Sequence, residues 1–280
     1  MFYLLKWFIQ MKILLNNNDL NEALREVSNL GFVPTMGSLH KGHISLIKKS
    51  LRDCNKTIVS IFINPTQFND ITDFKRYPRN NKKDLSILKK LKVDYVYLPK
   101  KNEIYDFVRK AKIKLRNKDK ILCARFRKGH FEGVIDVMDR LTDKIAPKKI
   151  FMGEKDFQQL FLVKKYIENK YKSKIIACKT IRNKNKLALS SRNSFLKLNY
   201  LKIAGKLAQN LISYKKKFNK KQILKSNLNL KRKQLSDLYK VDIEYLELRD
   251  LFGLNISKTT KNSKIFIAYY INKIRLIDNF

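Results

Sequence analysis

Short apolar runs alternate, over the first 180 residues, with stretches whose apolar positions recur every three or four residues. Met11 to Leu15, Gly31 to Val33, Thr57 to Ile63, Val93 to Leu98, Lys149 to Met152 and Ser173 to Cys178 have the length and the β-branched or aromatic content of buried strands. Between them, Asn18 to Leu30 sets Leu20, Ala23, Leu24, Val27 and Leu30 on one helical face, with Asn18 or Asp19 as its cap. Asp84 to Leu91 predicts another helix, and Val134, Val137, Met138, Leu141 and Ile145 share a face on a third that stops before Pro147. Strand and helix in repeated alternation predict a parallel sheet with crossover helices.

Beyond residue 180 the pattern changes. Ala204, Leu207, Ala208, Leu211 and Ile212 mark a helix within Leu201 to Lys240, and Val241 to Leu248 and Lys264 to Ile271 predict strands. The expected fold class is therefore α/β, a parallel-sheet N-terminal domain over residues 1–180 and a smaller α+β C-terminal domain over 181–280. Lys100 to Lys128 is irregular and charged, which predicts an excursion or flap, and there is no internal repeat.

Composition adjusts this picture little. A hydrophobic content of 44% with 17 Phe excludes a disordered chain. The formal charge of +38, from 62 Lys and Arg against 24 acids, would ordinarily point to nucleic acid. Lys is accompanied throughout by Asn, Ile, Phe and Tyr, however, the mark of an AT-rich coding sequence, so a solvated basic surface is the simpler reading and no specific nucleic acid is expected. The same choice, RNA contact or solvated face, holds for Leu201 to Lys240, where twelve Lys or Arg face only Asp237. Cys54, Cys123 and Cys178 lack metal or redox spacing and suit reduced thiols in the cytoplasm. The apolar start MFYLLKWFIQ is broken by Lys6, lacks a cleavage site and is too short to cross a membrane; Met11 is a second candidate start.

The candidate chemistry begins in Gly31 to Ile47, GFVPTMGSLHKGHISLI, where a strand runs through a tight loop into a helix. Such a junction offers backbone N–H groups and a positive dipole end to phosphate. Gly37 and Gly42 let the chain approach a ligand, and His40 and His43, two of only three histidines, share one side of the first turn. A histidine near a turn is as often a solvated or capping residue. Asn64 and Gln67 follow a strand's C-terminal end, where open α/β sheets bind ligands, although Asn-Pro alone is ordinarily a turn. The third histidine, His130, lies between Gly129 and Gly133 where the irregular stretch returns to order, with a helix following. Gly153-Glu154-Lys155-Asp156 repeats the strand, glycine and polar helix start. Leu189-Ser190-Ser191-Arg192 sets two hydroxyls beside a guanidinium fork, a combination suited to triphosphate or, equally, a helix cap at Ser191 or Asn193 with a stray Arg.

PTMGSLHKGH, SIFINPTQF, FRKGHFEGV, FMGEKDFQQL, LALSSRN and the closing RLID, in this order and spacing, resemble the pantothenate synthetase (pantoate–β-alanine ligase) family over nearly the whole chain from Met11. His-x-Gly-His alone would mark only the wider nucleotidyltransferase superfamily, class I aminoacyl-tRNA synthetases included. The resemblance implies a Rossmann-like N-terminal domain, a C-terminal lid, a homodimer, and ATP-dependent condensation of pantoate with β-alanine to pantothenate, AMP and pyrophosphate with Mg²⁺. It places Met36, Gly37, Ser38, Leu39, His40, Lys41, Gly42 and His43 on ATP, with His43 as proton donor. It adds Gly153, Glu154, Lys155, Asp156, the Ile181 backbone and Leu189, Ser190, Ser191 and Arg192 to that ligand. Gln67 and Gln159 would hold pantoate, with Asn64 and Arg127 also at the substrates; metal ligands are not indicated. His40, His43 and Lys155 are the expected catalytic donors.

The chain departs from the family pattern in three places. Asn185-Lys186 stands for Asp-Gly, Leu122-Cys123-Ala124 for Leu-Glu-Gly, and Lys128 for a proline. They put flap closure and turnover in question while leaving the principal positions intact. The alternatives are a related nucleotidyltransferase acting on another acid or phosphate, a basic RNA-binding protein, and a slow, decayed copy of the ligase.

Overall fold

The computed structural model describes residues 10–105, 113–218 and 222–280. The apolar leader up to residue 9 and the middle of the irregular excursion lie outside them. In chain order the elements begin β1 (Lys12–Leu14), α1 (Asn17–Leu24), β2 (Leu30–Thr35), α2 (Lys41–Asp53), β3 (Lys56–Ile61), α3 (Ile71–Arg76), α4 (Asn81–Lys90) and β4 (Tyr95–Tyr97). There follow α5 (Lys101–Ile104), α6 (Cys123–Phe126), α7 (His130–Ile145), β5 (Lys149–Gly153), α8 (Phe157–Ile167), β6 (Lys174–Cys178), α9 (Leu198–Lys217), α10 (Lys225–Tyr239), β7 (Asp242–Asp250), β8 (Ser263–Ile271) and β9 (Ile274–Asn279).

Two compact units result. The first comprises residues 1–116, 127–152 and 161–178; the second comprises 117–126, 153–160 and 179–280. The break near residue 178 falls where composition changes, while the flap segment 117–126 and the GEKDFQQL segment cluster with the second unit.

In the first unit the strands form one sheet in the order β1-β4-β3-β2-β5-β6, and β2 runs parallel to both β3 and β5. The order reverses at β2, so the loop that leaves its carboxyl end starts at the switch point of the sheet, where ligands bind in such folds. β2 and β3 are covered on both faces: Phe32, Val33, Ile58 and Val59 are fully buried. Helix α2 lies close on β2 because Gly31 has no side chain; a Cβ there would overlap the Ser50 hydroxyl, which instead bonds Thr57 Oγ1 at 2.8 Å.

One boundary differs from expectation and another matches it. Helix α1 is capped by Asn16, whose side chain accepts the Asp19 N–H, and not by Asn18 or Asp19. Asp19 accepts the N–H of Leu15, the residue before the cap, at 2.9 Å, and the two bonds together set the start two residues early. Helix α7 ends at Ile145 with Ala146 as a left-handed cap, and so stops before Pro147 as expected.

The second unit packs α9 and α10 on the antiparallel sheet β7-β8-β9. Its core joins Leu207, Leu211 and Leu235 from the helices to Ile243, Ile265 and Ile267 from the strands. The Lys-rich stretch is two helices, because the pattern breaks between Lys217 and Lys225, and β9 adds a strand that periodicity did not mark.

Candidate active site

In the first unit the site residues hang on two loops. β2 ends at Thr35, whose hydroxyl donates to Ser60 O at 2.7 Å and accepts the Gly37 N–H at 3.1 Å. Gly37 then turns at φ +77°, a left-handed geometry that glycine adopts without strain. The next two N–H groups, of Ser38 and Leu39, both donate to the Asp84 carboxylate at 2.8 Å. Asp84 comes from α4 and is 1% exposed. It therefore takes up two of the backbone donors that the sequence offered to phosphate.

The next donors are also engaged. His40 is the N-cap of α2: its Nδ1 accepts the Gly42 N–H at 3.0 Å, while His43 Nδ1 accepts the His40 N–H at 3.3 Å. A ring nitrogen that accepts is unprotonated in a neutral imidazole, so this bonding assigns both ring protons to Nε2. The rings lie 4.1 Å apart, each with its N–H on Nε2 in this tautomer. Gly42 also makes room for its neighbour: a Cβ there would come within 2.7 Å of the His40 ring.

The second loop follows β3. Asn64 caps the turn Pro65–Gln67, accepting from Thr66 N at 3.2 Å and from the Tyr105 hydroxyl at 2.8 Å. Its Nδ2 donates to Gly133 O at 3.0 Å and to Gln67 Oε1 at 3.3 Å. The residue is 1% exposed, and these bonds make it the support of the turn. Gln67 is held on three sides: by Asn64, by Met36 Sδ at 2.8 Å from its Nε2, and by His130 Nδ1 at 2.6 Å from its carbonyl. A carbonyl only accepts, so His130 carries its proton on Nδ1, and Nε2 takes an N–H from Arg127 at 2.8 Å. Gly133 lets α7 touch the turn, since a Cβ there would overlap the Thr66 carbonyl. Burial pushes the Tyr105 hydroxyl up to about 12.

In the second unit Gly153 leads into the short turn Glu154–Asp156. Lys155 Nζ lies 3.2 Å from Asp156, and Glu154 is paired with Lys264 at 2.8 Å. Gln159 is half-buried. Its neighbour Gln158 is buried, donating to Ile121 O at 2.7 Å. Ile181 O accepts the Leu189 N–H at 3.0 Å, and the turn Ser191–Phe195 is capped by Ser190, which accepts the Arg192 N–H at 3.3 Å. The cap is thus Ser190 and not Ser191 or Asn193, because Ser190 is the last extended residue before the turn. Arg182 forks onto Asp278 at 2.6 and 2.8 Å, and burial pushes the Asp278 carboxyl up against that pull.

The departures have local explanations. Cys123 Sγ lies 3.1 Å from the Tyr245 hydroxyl and 3.3 Å from Arg275, and Arg275 pairs with Glu244, so this chain gives the guanidinium a carboxylate without one at position 123. At Lys128 the backbone oxygen accepts from Asn69 Nδ2, a bond a proline would also accept. Among the described residues no three His, Cys, Asp or Glu lie close enough to hold a metal ion, and no helix is long and apolar enough to cross a membrane.

Residues 12–280 match the family model described as pantoate-beta-alanine ligase. The chain belongs to that family. It is 40% identical over 279 residues to the pantothenate synthetase of Endomicrobium trichonymphae, covering 96% of this chain and 97% of that one. Against the pantothenate synthetase of Francisella tularensis subsp. novicida it is 36% identical over 268 residues, 94% and 93% of the two chains. A solved family member from Thermus thermophilus superposes with a TM-score of 0.89 at 29% identity, covering 96% of this chain and 98% of that one. The pantoate-beta-alanine ligase of Francisella tularensis, solved in complex with beta-gamma ATP and beta-alanine, gives 0.82 at 35% identity over 96% and 97%. As a pantoate–β-alanine ligase the chain joins pantoate to β-alanine to make pantothenate.

Sequence reasoning missed Asp84, Tyr105, Arg182 and Asn279, all of which act on backbone groups or on other side chains, and it gave no role to Asp278, the last residue of the RLID block. Nothing in their spacing marks them. Asp84 alone carried a signal: an acid in the first turn of a predicted helix, flanked by lysines and followed by apolar residues, that is buried despite its charge.

Proposed function

We propose that this chain makes pantothenate in two steps, with ATP as the activating substrate. A pantoate carboxylate oxygen attacks the α-phosphorus of ATP, and pyrophosphate leaves. The amine of β-alanine then attacks the acyl carbon of the bound adenylate, loses a proton as the amide bond forms, and AMP leaves. Activation is needed because an unactivated carboxylate would have to expel oxide.

Charge builds on phosphoryl oxygens in the first step, so the demand is for fixed donors more than for a nucleophile. The observation that carries this reading is the imidazole pair: two rings 4.1 Å apart, both with Nδ1 bound to backbone N–H, are fixed in place as Nε2 donors. His43 and His40 act there, with Lys155, Ser190, Ser191 and Arg192 supplying further donors to the phosphates. Met36 to His43, Gly153 to Asp156, Ile181 and Leu189 complete the ATP set. Gln67 and Gln159 hold pantoate, neutral amides that meet its hydroxyl and carboxylate without adding a negative charge. Asn64 and Arg127 serve the substrates through Gln67 and His130, to which they are bonded.

Mg²⁺ enters as part of MgATP, carried on phosphates and water in the manner of an ion that seldom takes an all-protein cage. The protein works in the cytoplasm as a homodimer. Pantoate-dependent exchange of labelled pyrophosphate into ATP tests the first step by itself. Exchange that requires pantoate supports the reading; adenylate transfer without pantoate would assign another acid, and binding of all three substrates without turnover would remove the catalytic roles.

A further inference from the structure

Strand β9 ends on Asn279, 4% exposed, whose Nδ2 donates to the main-chain oxygens of both Glu154 and Lys155 at 2.8 Å. Its own backbone is fixed in turn: the N–H donates to Asp278 Oδ1 at 2.7 Å, and the oxygen accepts from Arg182 at 2.9 Å. Arg182 also holds the Lys186 oxygen at 2.9 Å, in the loop that runs on to Ser190 and Arg192. The last two residues of β9 thus tie together the two backbone segments of this unit that were read as ATP-binding.

The Glu154–Asp156 turn takes little support from its own fold. It is a single short turn without a capping side chain, and such turns are weak by themselves. Lys264 grips the Glu154 side chain, while the one amide of Asn279 bonds the oxygens of two successive peptides, Glu154–Lys155 and Lys155–Asp156. The amide is kept at a cost, since its Oδ1 is buried and meets no donor among the described residues. A buried acceptor without a partner calls for an explanation, and a side chain selected only for stability would avoid it.

We infer that Asn279 is a positioning residue for Lys155: its amide sets the orientation of the Glu154–Lys155 turn and so the point from which the ammonium acts. This rests on the role of Lys155 in the proposed reaction. A shift of about 1 Å in such a group is enough to cost on the order of 10²-fold in rate.

The test uses the full-length protein with Asn279→Ser, which retains one donor, and Asn279→Ala, which retains none. Thermal unfolding is measured beside pantoate-dependent pyrophosphate exchange. The expected result is two folded variants whose exchange turnover falls on the order of 10-fold for Ser and 10²-fold for Ala, with KM for pantoate within about twofold of wild type. Folded variants with wild-type turnover would overturn the inference. So would loss of the fold in both, which would make Asn279 a stability residue. A wild type without exchange would show itself separately and would remove the ligase reading together with this inference.

Discussion

The backbone N–H of His40 donates to Nδ1 of His43 at 3.3 Å, closing a helix cap in which the side chains on both sides are imidazoles. One pair of residues therefore both starts α2 and presents donors, and substitution can separate the two tasks. His40→Asn supplies one of the best N-cap side chains, so its stability should stay within about 0.5 kcal/mol of wild type. Its exchange rate should still fall by on the order of 10² to 10³, the cost of one lost donor at a phosphoryl transition state. His43→Ala should lose the same rate, about 3 to 4 kcal/mol. Thermal unfolding read beside exchange decides it, and a His40→Asn enzyme that turned over normally would reduce His40 to a cap.

Asp84 offers a contrast, a charge that faces backbone only. Asp84→Ala strips the acceptor from the Ser38 and Leu39 N–H groups, each loss costing about 1 to 3 kcal/mol. Asp84→Asn should be milder, keeping one acceptor while turning an NH₂ toward the other N–H. Urea unfolding should rank wild type above Asn and Asn above Ala; equal midpoints would mean that the loop finds water as readily as the carboxylate.

Gly133→Ala probes the turn that carries Gln67. The added Cβ meets the Thr66 carbonyl, so α7 or the turn must move, at about 1 to 3 kcal/mol for such overpacking. Because Gln67 shifts with the turn, KM for pantoate should rise more than KM for ATP. Steady-state kinetics with each substrate varied gives the answer, and parallel changes in both would place the damage elsewhere.

Much of this was legible beforehand. The alternation of strand and helix gave the parallel sheet, and the blocks around His43, Lys155 and Ser190 named the family. Each block is a contiguous string of residues, so it can be recognised without knowing the fold. What stayed hidden is the support beneath them. Tyr105 reaches Asn64 across 41 positions and Asn279 reaches Glu154 across 125, and no local period encodes contacts of that span. Ser190 and Asn16 were displaced by a residue or two because several polar side chains in a row can each cap a helix, and backbone geometry alone chooses among them.

Tyr105 also supplies a pH dependence. Burial raises its hydroxyl to about 12, whereas an unfolded phenol ionises near ~10. The stabilisation is complete below about pH 10 and is lost as pH rises through about 12, because only the unfolded chain releases the proton in between. Wild type should lose about 2 to 3 kcal/mol more than Tyr105→Phe over that window, at ~1.4 kcal/mol for each pH unit. Urea unfolding of the two proteins from about pH 9 to about pH 12 measures the difference, and parallel curves would show that the hydroxyl ionises in the folded state.

Lys186 occupies the position where the family usually carries glycine, and it does so at φ +67°. Its N–H still reaches Asn183 O at 2.9 Å, and its carbonyl still receives Arg182. The bend thus keeps its shape without the residue best fitted to it, at a penalty of roughly 1 to 2 kcal/mol that a Lys186→Gly substitution would partly return to the native state. The two bonds that close the bend, from the Lys186 N–H to Asn183 O and from Arg182 to the Lys186 carbonyl, hold it shut from both sides, so a long cationic side chain can stand there with its charge turned to water.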